Sequence, residues 1–178
     1  MSRREATKEA NRAALLAAAR DAFAEYGYSG TGVRDVVRRT DLASGTFYNY
    51  FDSKEAIFAA VLEQVGGAAR ARVRDARLAA APGEFLEAGF RAFFAFIAAE
   101  PDTFAFLDRN ADVVLPAALD ELREDLAGRL RDGVDLDYTA HAMVAVGLQT
   151  GRVMLTRDPV NVDGATAFAA GLFREILR

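Results

Sequence analysis

The sequence predicts an all-α protein of about nine helices. Strand-like alternation of β-branched residues is absent, and apolar residues recur instead at the three- and four-residue spacing of amphipathic helices. The 178 residues include only 4 prolines and are rich in alanine, which has the highest helix propensity. Hydrophobic residues make up 52% of the chain and charged residues 27%, a composition typical of a globular protein with a sizeable core.

The helices can be placed in order along the chain. Leu15, Ala19 and Phe23 line one face of the first helix, and Gly27 favours its C-terminal end. The next two helices are short and are joined by a turn at 41–43. The fourth has an apolar face at its start and a strongly charged second half. The predicted helices span residues 8–26, 33–40, 44–50, 53–78, 83–99, 102–110, 115–131, 136–157 and 163–177.

The charges divide the chain into two parts of opposite sign. Residues 1–50 contain 8 basic and 6 acidic side chains, whereas the remainder contains 14 basic and 20 acidic ones. We expect an N-terminal domain at 1–52 and a larger domain at 53–178, with the helix at 53–78 connecting them. An acidic second domain repels phosphate, so any nucleic-acid contact is expected in the first.

The segment 31–54 carries the most informative pattern. Val36 and Val37 give one short helix an inner face, and Phe47 and Phe51, four residues apart, do the same for the next. Two short helices joined by a three-residue turn match a helix-turn-helix. This supersecondary structure reads DNA by placing its second helix in the major groove.

The outer side of the second short helix has the chemistry of a groove-reading surface. Tyr48, Asn49 and Tyr50 fall on outward or flanking sides, after the small residues at 44–46. An Asn amide can pair with adenine, and hydroxyls can reach phosphates. Small residues at a helix start allow close approach to a phosphate. The alternative is that the two tyrosines pack on a neighbouring helix.

Residues 8–65 resemble the DNA-binding domain of the TetR/AcrR family of transcriptional regulators. The resemblance rests on Val36-Val37, the turn at 41–43, the run GTFYNYF at 45–51 and the helix start at 53–55. It implies an N-terminal three-helix helix-turn-helix domain and a C-terminal helical domain that binds a ligand and dimerises. Its partners would be double-stranded operator DNA, a small apolar effector and a second copy of the chain.

The resemblance also implies roles for individual residues. Asn49 would read bases, and Lys54 would clamp a phosphate. Val37, Asp41 and Ala43 depart from the usual Ala, Gly and Ser, which leaves Ser44 as the substitute cap of the second helix. The predicted DNA-binding residues are Thr31, Arg34, Ser44, Gly45, Thr46, Tyr48, Asn49, Tyr50 and Lys54.

The C-terminal part concentrates phenylalanine between residues 85 and 106. So many rings cannot share one helix stripe, so they either fill the core or partly line an apolar cavity, and the resemblance favours a cavity. His141 and Gln149 would supply polarity there, although an exposed position is the alternative for the histidine. The predicted ligand-binding residues are Phe93, Phe96, Phe104, Leu107, Leu122, His141, Met143, Val146 and Gln149.

The last two helices are predicted to form a homodimer interface. Two-fold dimers suit palindromic operators, and the resemblance implies a four-helix bundle across the axis. Two glycines four residues apart would allow close helix approach, although the apolar stripe on the last helix could be intramolecular core instead. The predicted interface residues are Gly147, Gly151, Phe168, Leu172, Phe173 and Ile176.

Composition argues against other classes of protein. The absence of cysteine excludes disulfides, and with one histidine it leaves no Cys/His zinc site, so no cofactor or metal is expected. No segment approaches a membrane span or a signal peptide, which favours the cytoplasm. A small hydrolase would need a base, and His141 is the single histidine. The sequence therefore predicts a DNA-binding repressor released by an apolar ligand; an activator or a ligand-independent regulator is the alternative.

Overall fold

The computed structural model describes residues 2–81 and 83–177, without the side chains of Ser44 and Ala68. In this part of the chain there are nine α-helices, one 3-10 helix and no strand, so the all-α prediction is confirmed. The helices are α1 Arg3–Gly30, α2 Val33–Val37, α3 Ser44–Phe47, α4 Lys54–Ala79, α5 Phe85–Ala99, α6 Pro101–Arg109, α7 Ala111–Leu126, α8 Leu136–Leu155, α9 Val162–Phe173 and a 3-10 helix at Arg174–Ile176.

The chain forms two compact units that divide between Gly67 and Ala68, within α4. The first unit therefore holds α1, α2, α3 and the first half of α4. The second holds the rest of α4 and all later helices. The predicted functional boundary between residues 52 and 53 stays a prediction.

Helix α1 is longer than predicted at both ends. A capping box starts it at Arg3, since the Glu5 N–H donates to Ser2 Oγ at 3.3 Å and the Ser2 N–H donates to Glu5 Oε2 at 2.6 Å. Gly27 interrupts the helix as expected, but a further helical stretch follows it. Its φ of 73° makes a kink, after which the helix continues to Gly30.

Later helix boundaries also differ from the prediction. Helix α2 ends at Val37 rather than at residue 40, because the Thr40 hydroxyl donates to the Val37 carbonyl at 2.9 Å and accepts the Leu42 N–H at 3.2 Å. Helix α7 begins at Ala111 rather than at residue 115, and Pro116 lies inside it. It ends at Leu126, just before Gly128, whose φ is +75°.

The first unit packs around a small aromatic and aliphatic core. Phe23, Phe47, Ile57 and Val61 are fully buried and come from α1, α3 and α4. The Phe23 ring meets the Phe58 ring edge-on, with centroids 4.8 Å apart. Burying such side chains stabilises a fold by about 1.5–3 kcal/mol each, so these contacts fix α3 against its neighbours.

The second unit is a helical body with a phenylalanine-rich core. Helix α5 packs against α8 and α9, and α7 packs against α8. The ring of Phe90 stacks on Phe94 and on Phe173, with centroids 5.9 Å and 6.2 Å apart. The charged second half of α4 is tied to α7 by ion pairs, among them Arg70–Glu121 at 3.3 Å.

Candidate nucleic-acid interface

Helix α3 is held by two phenylalanines that point inward. Phe47 is fully buried and Phe51 is 6% exposed, which confirms the predicted inner face. The helix is a single turn followed by 3-10-type turns, in which the Asn49 N–H donates to the Thr46 carbonyl at 3.1 Å and the Tyr50 N–H donates to Phe47 at 2.9 Å. The segment at 48–50 is therefore fixed although it lies beyond the helix.

The outward side of this segment is open. Tyr48 is 60% exposed, Asn49 and Gly45 are exposed, and Thr46 is half-buried. A Cβ on Gly45 would meet no atom within 4 Å, so packing inside the chain does not require glycine there. Packing on a neighbouring helix does not account for Tyr48 either, because most of its surface faces solvent.

Tyr50 differs from Tyr48 in being partly engaged inside the unit. It is half-buried, and its hydroxyl accepts a hydrogen bond from Asn11 Nδ2 at 3.2 Å. The alternative that the tyrosines pack inside the chain is therefore partly true of Tyr50. Its own O–H remains available as a donor, because a phenol can accept and donate at once.

Thr31 does not fit its predicted contact with DNA. It is 3% exposed, and its hydroxyl donates to the Gly27 carbonyl at 2.7 Å and lies 3.2 Å from the Ala22 carbonyl. These bonds satisfy backbone groups that the α1 kink leaves free. Thr31 is thus a structural residue of the kink, and the structure contradicts its assignment to the DNA surface.

Lys54 has a structural role that the sequence did not reveal. Its Nζ donates to the Tyr28 carbonyl at 3.1 Å and lies 4.1 Å from the centroid of the Tyr28 ring. The Tyr28 hydroxyl donates to Glu55 Oε1 at 2.8 Å. Lys54 therefore fastens the end of α1 to the start of α4, and it keeps further N–H donors for a phosphate.

The same contacts set the charge of Glu55. Its own backbone N–H, then the Tyr28 hydroxyl and the Ser53 hydroxyl, lower the pKa of Glu55 from 4.5 to about 2. The bond also raises the pKa of Tyr28, because an ionised phenol could not donate to the carboxylate. At neutral pH this network consists of a cation, a neutral phenol and an anion.

The remaining predicted DNA contacts lie around α2 and the start of α3. Arg34 is exposed and makes no ion pair with any described residue. The side chain of Ser44 lies outside the described part of the chain, so its predicted capping role stays a prediction. Ala43, the residue at the N-cap, provides no side-chain hydrogen bond.

The sequence analysis missed a basic groove beside Asn49. The groove is open to solvent and has a volume of ≈ 680 Å³. It was missed because α1 was predicted to begin at Lys8, which left Arg3 and Arg4 outside the helix. The spacing of Ser2 and Glu5, which is typical of a capping box, indicates the earlier start. Its lining residues are Arg3, Arg4, Thr7, Lys8, Asn49 and Tyr50.

The predicted ligand-binding residues separate into two groups in the second unit. The apolar ones are buried or half-buried, and most belong to one core cluster: Phe93, Phe96, Phe104, Leu122, Met143 and Val146, with Leu107 half-buried. The polar ones are exposed, which agrees with the alternative given for His141 and contradicts the predicted place of Gln149 in a cavity. His141 Nδ1 lies 2.8 Å from the Asp137 carbonyl, and Gln149 Oε1 accepts from Arg152 at 3.2 Å.

The predicted interface residues also separate. Phe168 and Leu172, on α9, are 60% and 54% exposed. Phe173 is buried and Ile176 packs half-buried against the core of the same chain. The glycines are corrected as well. A Cβ on Gly147 would lie 3.5 Å from the rings of Phe90 and Phe93, and one on Gly151 would overlap Ile97, so both face α5 of their own chain.

Known proteins share this arrangement of residues. The sequence model for bacterial regulatory proteins of the tetR family matches residues 15–61, from α1 into α4. The chain is 27% identical over 182 residues to the transcriptional activator FasR of Mycolicibacterium smegmatis, covering 92% of this chain and 83% of FasR. Residues 15–61 thus have the DNA-binding region of the tetR family, and the rest of the chain is similar to such a regulator at lower identity. The chain is also 45% identical over 42 residues to the repressor DhaR of Mycobacterium sp. (strain GP1), which covers 24% of this chain and only 21% of DhaR.

Solved structures share the fold over more than nine-tenths of the chain. SmeT, the repressor of the Stenotrophomonas maltophilia multidrug efflux pump SmeDEF, superposes with a TM-score of 0.65 at 19% identity, covering 94% of this chain and 90% of SmeT. The fatty acid degradation regulator FadR of Bacillus halodurans gives 0.62 at 18% identity, with coverages of 92% and 94%. The chain is a DNA-binding transcriptional regulator and not an enzyme, which removes the hydrolase alternative.

The described residues provide neither a membrane-spanning helix nor a metal-binding cluster. Across 2–81 and 83–177 no helix is long and apolar enough to cross a membrane. The same part of the chain contains no group of three or more histidine, cysteine, aspartate or glutamate side chains placed to hold a metal ion.

Proposed function

We propose that this chain is a homodimeric TetR-family repressor in the bacterial cytoplasm, which binds a palindromic operator and is released by a small apolar molecule. The observation that carries the proposal is the outward surface of the α3 segment, where Gly45, Tyr48 and Asn49 are exposed while Phe47 and Phe51 anchor it from inside. This surface presents an amide and a phenol to a groove. The amide reads bases and the phenol holds the backbone.

Dimerisation is supported by the exposed side chains of α9. Phe168 and Leu172 lie one helical turn apart, so their apolar surfaces form one patch. A second copy of the chain would cover this patch and bring two α3 segments to one operator. Half-sites read in this way are separated by about 34–36 Å along the duplex.

The effector is proposed to be apolar because the core of the second unit is rich in phenylalanine. Phe93 and Phe96 are only half-buried and border the core cluster, so they are the side chains best placed to move aside for a ligand. A ligand releases DNA only if it binds the DNA-free conformation more tightly than the DNA-bound one. A thermal-shift screen of apolar compounds tests this part of the proposal, since a bound effector raises the unfolding temperature.

The DNA-binding proposal is tested by gel shift on the intergenic DNA upstream of the coding sequence. Asn49→Ala should reduce discrimination between operator and scrambled DNA by about 5- to 150-fold, the effect of losing one bidentate base contact. Tyr138→Ala, which removes an exposed tyrosine of the second unit, is the control and should change nothing. Equal discrimination by the Asn49 variant and the unsubstituted chain would disprove the assignment.

Activation is the second candidate function, because FasR, a relative aligned over 92% of this chain, is an activator. The two functions predict opposite changes in transcription when the protein is removed. Deleting the chain raises transcription from the bound promoter if it is a repressor and lowers it if it is an activator. A reporter fused to that promoter measures the difference.

A further inference from the structure

We propose that the basic groove formed by the first two turns of α1 and Tyr50 is a second DNA contact, which binds backbone phosphates beside the segment read by α3. The inference deepens the proposed function and rests on it. It assigns a binding role to Arg3, Arg4 and Lys8, residues that lie before the part of the chain matched by the family model, which begins at residue 15.

The cations of the groove are left without acidic partners. Arg3, Arg4 and Lys8 are exposed, and none of them forms an ion pair with a described residue. Arginines of the second unit behave differently, since many are neutralised by carboxylates: Arg70, Arg74, Arg77, Arg91, Arg123, Arg131 and Arg152. Unpaired cations collected along one groove are the electrostatic footprint of a polyanion site.

The capping box fixes these cations in helical geometry. Because α1 starts at Arg3, Arg4 and Lys8 lie one turn apart on one face. Glu5, an acid in the same two turns, is engaged by the Ser2 N–H at 2.6 Å. Ser2 in return accepts the Glu5 N–H, which completes the capping box and holds the first turn in helical geometry.

Tyr50 supplies an oriented donor at the other wall of the groove. Asn11 Nδ2 donates to the Tyr50 hydroxyl at 3.2 Å and occupies one acceptor site of that oxygen. The phenolic hydrogen is then directed away from Asn11 and can bind a phosphate oxygen. Asn11 is a positioning residue in this arrangement, because it acts on DNA only through Tyr50.

The shape and lining of the groove favour a nucleic-acid backbone over a small effector. Pockets for small apolar ligands are enclosed and mostly hydrophobic, whereas this groove is open and lined by long cationic side chains. Asn49 belongs both to the groove and to the outward surface of the α3 segment. A duplex read by Asn49 therefore lies directly beside the groove, which extends the same surface.

The salt dependence of binding tests the inference. Fluorescence anisotropy would measure the affinity of the full chain for operator and scrambled duplexes over a range of KCl concentrations. Each phosphate neutralised contributes a slope of about −0.9 to log K against log[salt], so Arg3→Gln/Arg4→Gln/Lys8→Gln should make the slope shallower by about 2–3 per subunit. Operator and scrambled DNA should lose affinity together. Circular dichroism verifies that the variant is folded.

Matched variants show whether a change in the salt slope depends on where the removed cations lie, and whether it is independent of base reading. Arg72→Gln/Arg109→Gln/Arg157→Gln removes three exposed, unpaired cations of the second unit and should leave the slope unchanged. If this control flattens the slope as much as the groove variant, the groove has no special role. Asn49→Ala should lower discrimination at a constant slope. An unchanged slope in the groove variant overturns the inference, whereas failure of the unsubstituted chain to prefer any operator overturns the proposed function instead.

The positioning role of Asn11 has its own test. Tyr50→Phe and Asn11→Ala should each weaken binding to both duplexes by about 2- to 10-fold, the value of one hydrogen bond. The double variant should bind like Tyr50→Phe alone, whereas additive losses would show that Asn11 acts independently and would overturn its role. Inorganic phosphate at constant ionic strength should not compete with DNA. Competition at millimolar phosphate would identify a small-anion site and overturn the assignment to DNA.

Discussion

The guanidinium of Arg77 donates two hydrogen bonds to a single carboxylate oxygen of Asp125, at 3.1 Å from Nε and 2.6 Å from Nη2. The pair is removed from solvent, since the side chains are 13% and 2% exposed. Arg77 reaches Asp125 across Gly89, where a Cβ would lie 2.6 Å from Arg77 Cγ. This ion pair thus joins the last turn of α4 to α7, and it can pass α5 because Gly89 has no side chain there.

Removing Asp125 should destabilise the second unit severely. Asp125→Ala leaves Arg77 without a partner in a largely buried position, and loss of one member of a buried pair costs about 3–5 kcal/mol. Urea denaturation followed by circular dichroism measures the loss. The control is Glu124→Ala, whose 71% exposed carboxylate pairs with Arg74 at 3.5 Å and should cost less than about 1 kcal/mol. Equal losses in the two variants would refute the importance of burial.

The two glycines of α8 should respond differently to alanine. Gly147→Ala places a methyl at ordinary contact distance, 3.5 Å from two phenylalanine rings, and gains helix propensity, so stability should be unchanged or slightly higher. Gly151→Ala overlaps Ile97, which is fully buried, and should cost about 1–3 kcal/mol. Thermal unfolding of the two variants compares them directly.

A double-mutant cycle identifies the atom responsible. Ile97→Val removes the Cδ1 that the new methyl would strike, and alone it should cost about 0.5–1.5 kcal/mol. In that background Gly151→Ala should become nearly neutral. A cost that persists in the double variant would place the conflict elsewhere.

The Tyr28–Glu55 bond should be visible in an acid titration. Because folding lowers the pKa of Glu55 from 4.5 to about 2, its stabilising contribution is complete above pH 4.5 and is lost as the pH falls towards 2. Tyr28→Phe removes one donor to the carboxylate and should raise this pKa. Carbon NMR of the Glu55 carboxyl follows the titration, and Tyr26→Phe, whose hydroxyl acts on Glu25, should leave it unchanged.

The exposed patch of α9 should control assembly. Phe168→Ala/Leu172→Ala removes two side chains that would each contribute about 1.5–3 kcal/mol if fully buried by a second copy. The dimer dissociation constant should rise by about tenfold or more in analytical ultracentrifugation. Leu78→Ala removes an apolar side chain on α4 that is 48% exposed, and should leave the dimer intact. A dimer unaffected by the α9 changes would exclude this patch from the interface.

The helix-turn-helix could be predicted because its signals are local. Phe47 and Phe51 repeat at one helical turn, and burial at both positions follows directly from that spacing. The exposure of Tyr48 and Asn49 follows from the same register. The start of α1 was harder, since its capping box lies in a polar stretch with no apolar periodicity to mark it.

Other residues could not be placed because their partners are distant in sequence. The spacing of Gly147 and Gly151 indicates a close approach, yet nothing in it specifies that α5 of the same chain is the partner. Thr31 was misassigned for a related reason. A hydroxyl beside a recognition motif can face DNA or cap a nearby helix, and only the kink at Gly27 decides in favour of the cap.

The uncompensated cations at the start of α1 have opposite consequences for folding and for binding. Arg4 and Lys8 repel each other across one helical turn, at a cost of about 0.2–0.5 kcal/mol in dilute buffer. Added electrolyte screens that repulsion and should make the first turns of the free protein more resistant to fraying. The same electrolyte weakens attraction to DNA. At low salt, therefore, the repulsion between Arg4 and Lys8 is strongest and the attraction to DNA is strongest as well. Bound phosphates would neutralise these cations and remove the repulsion.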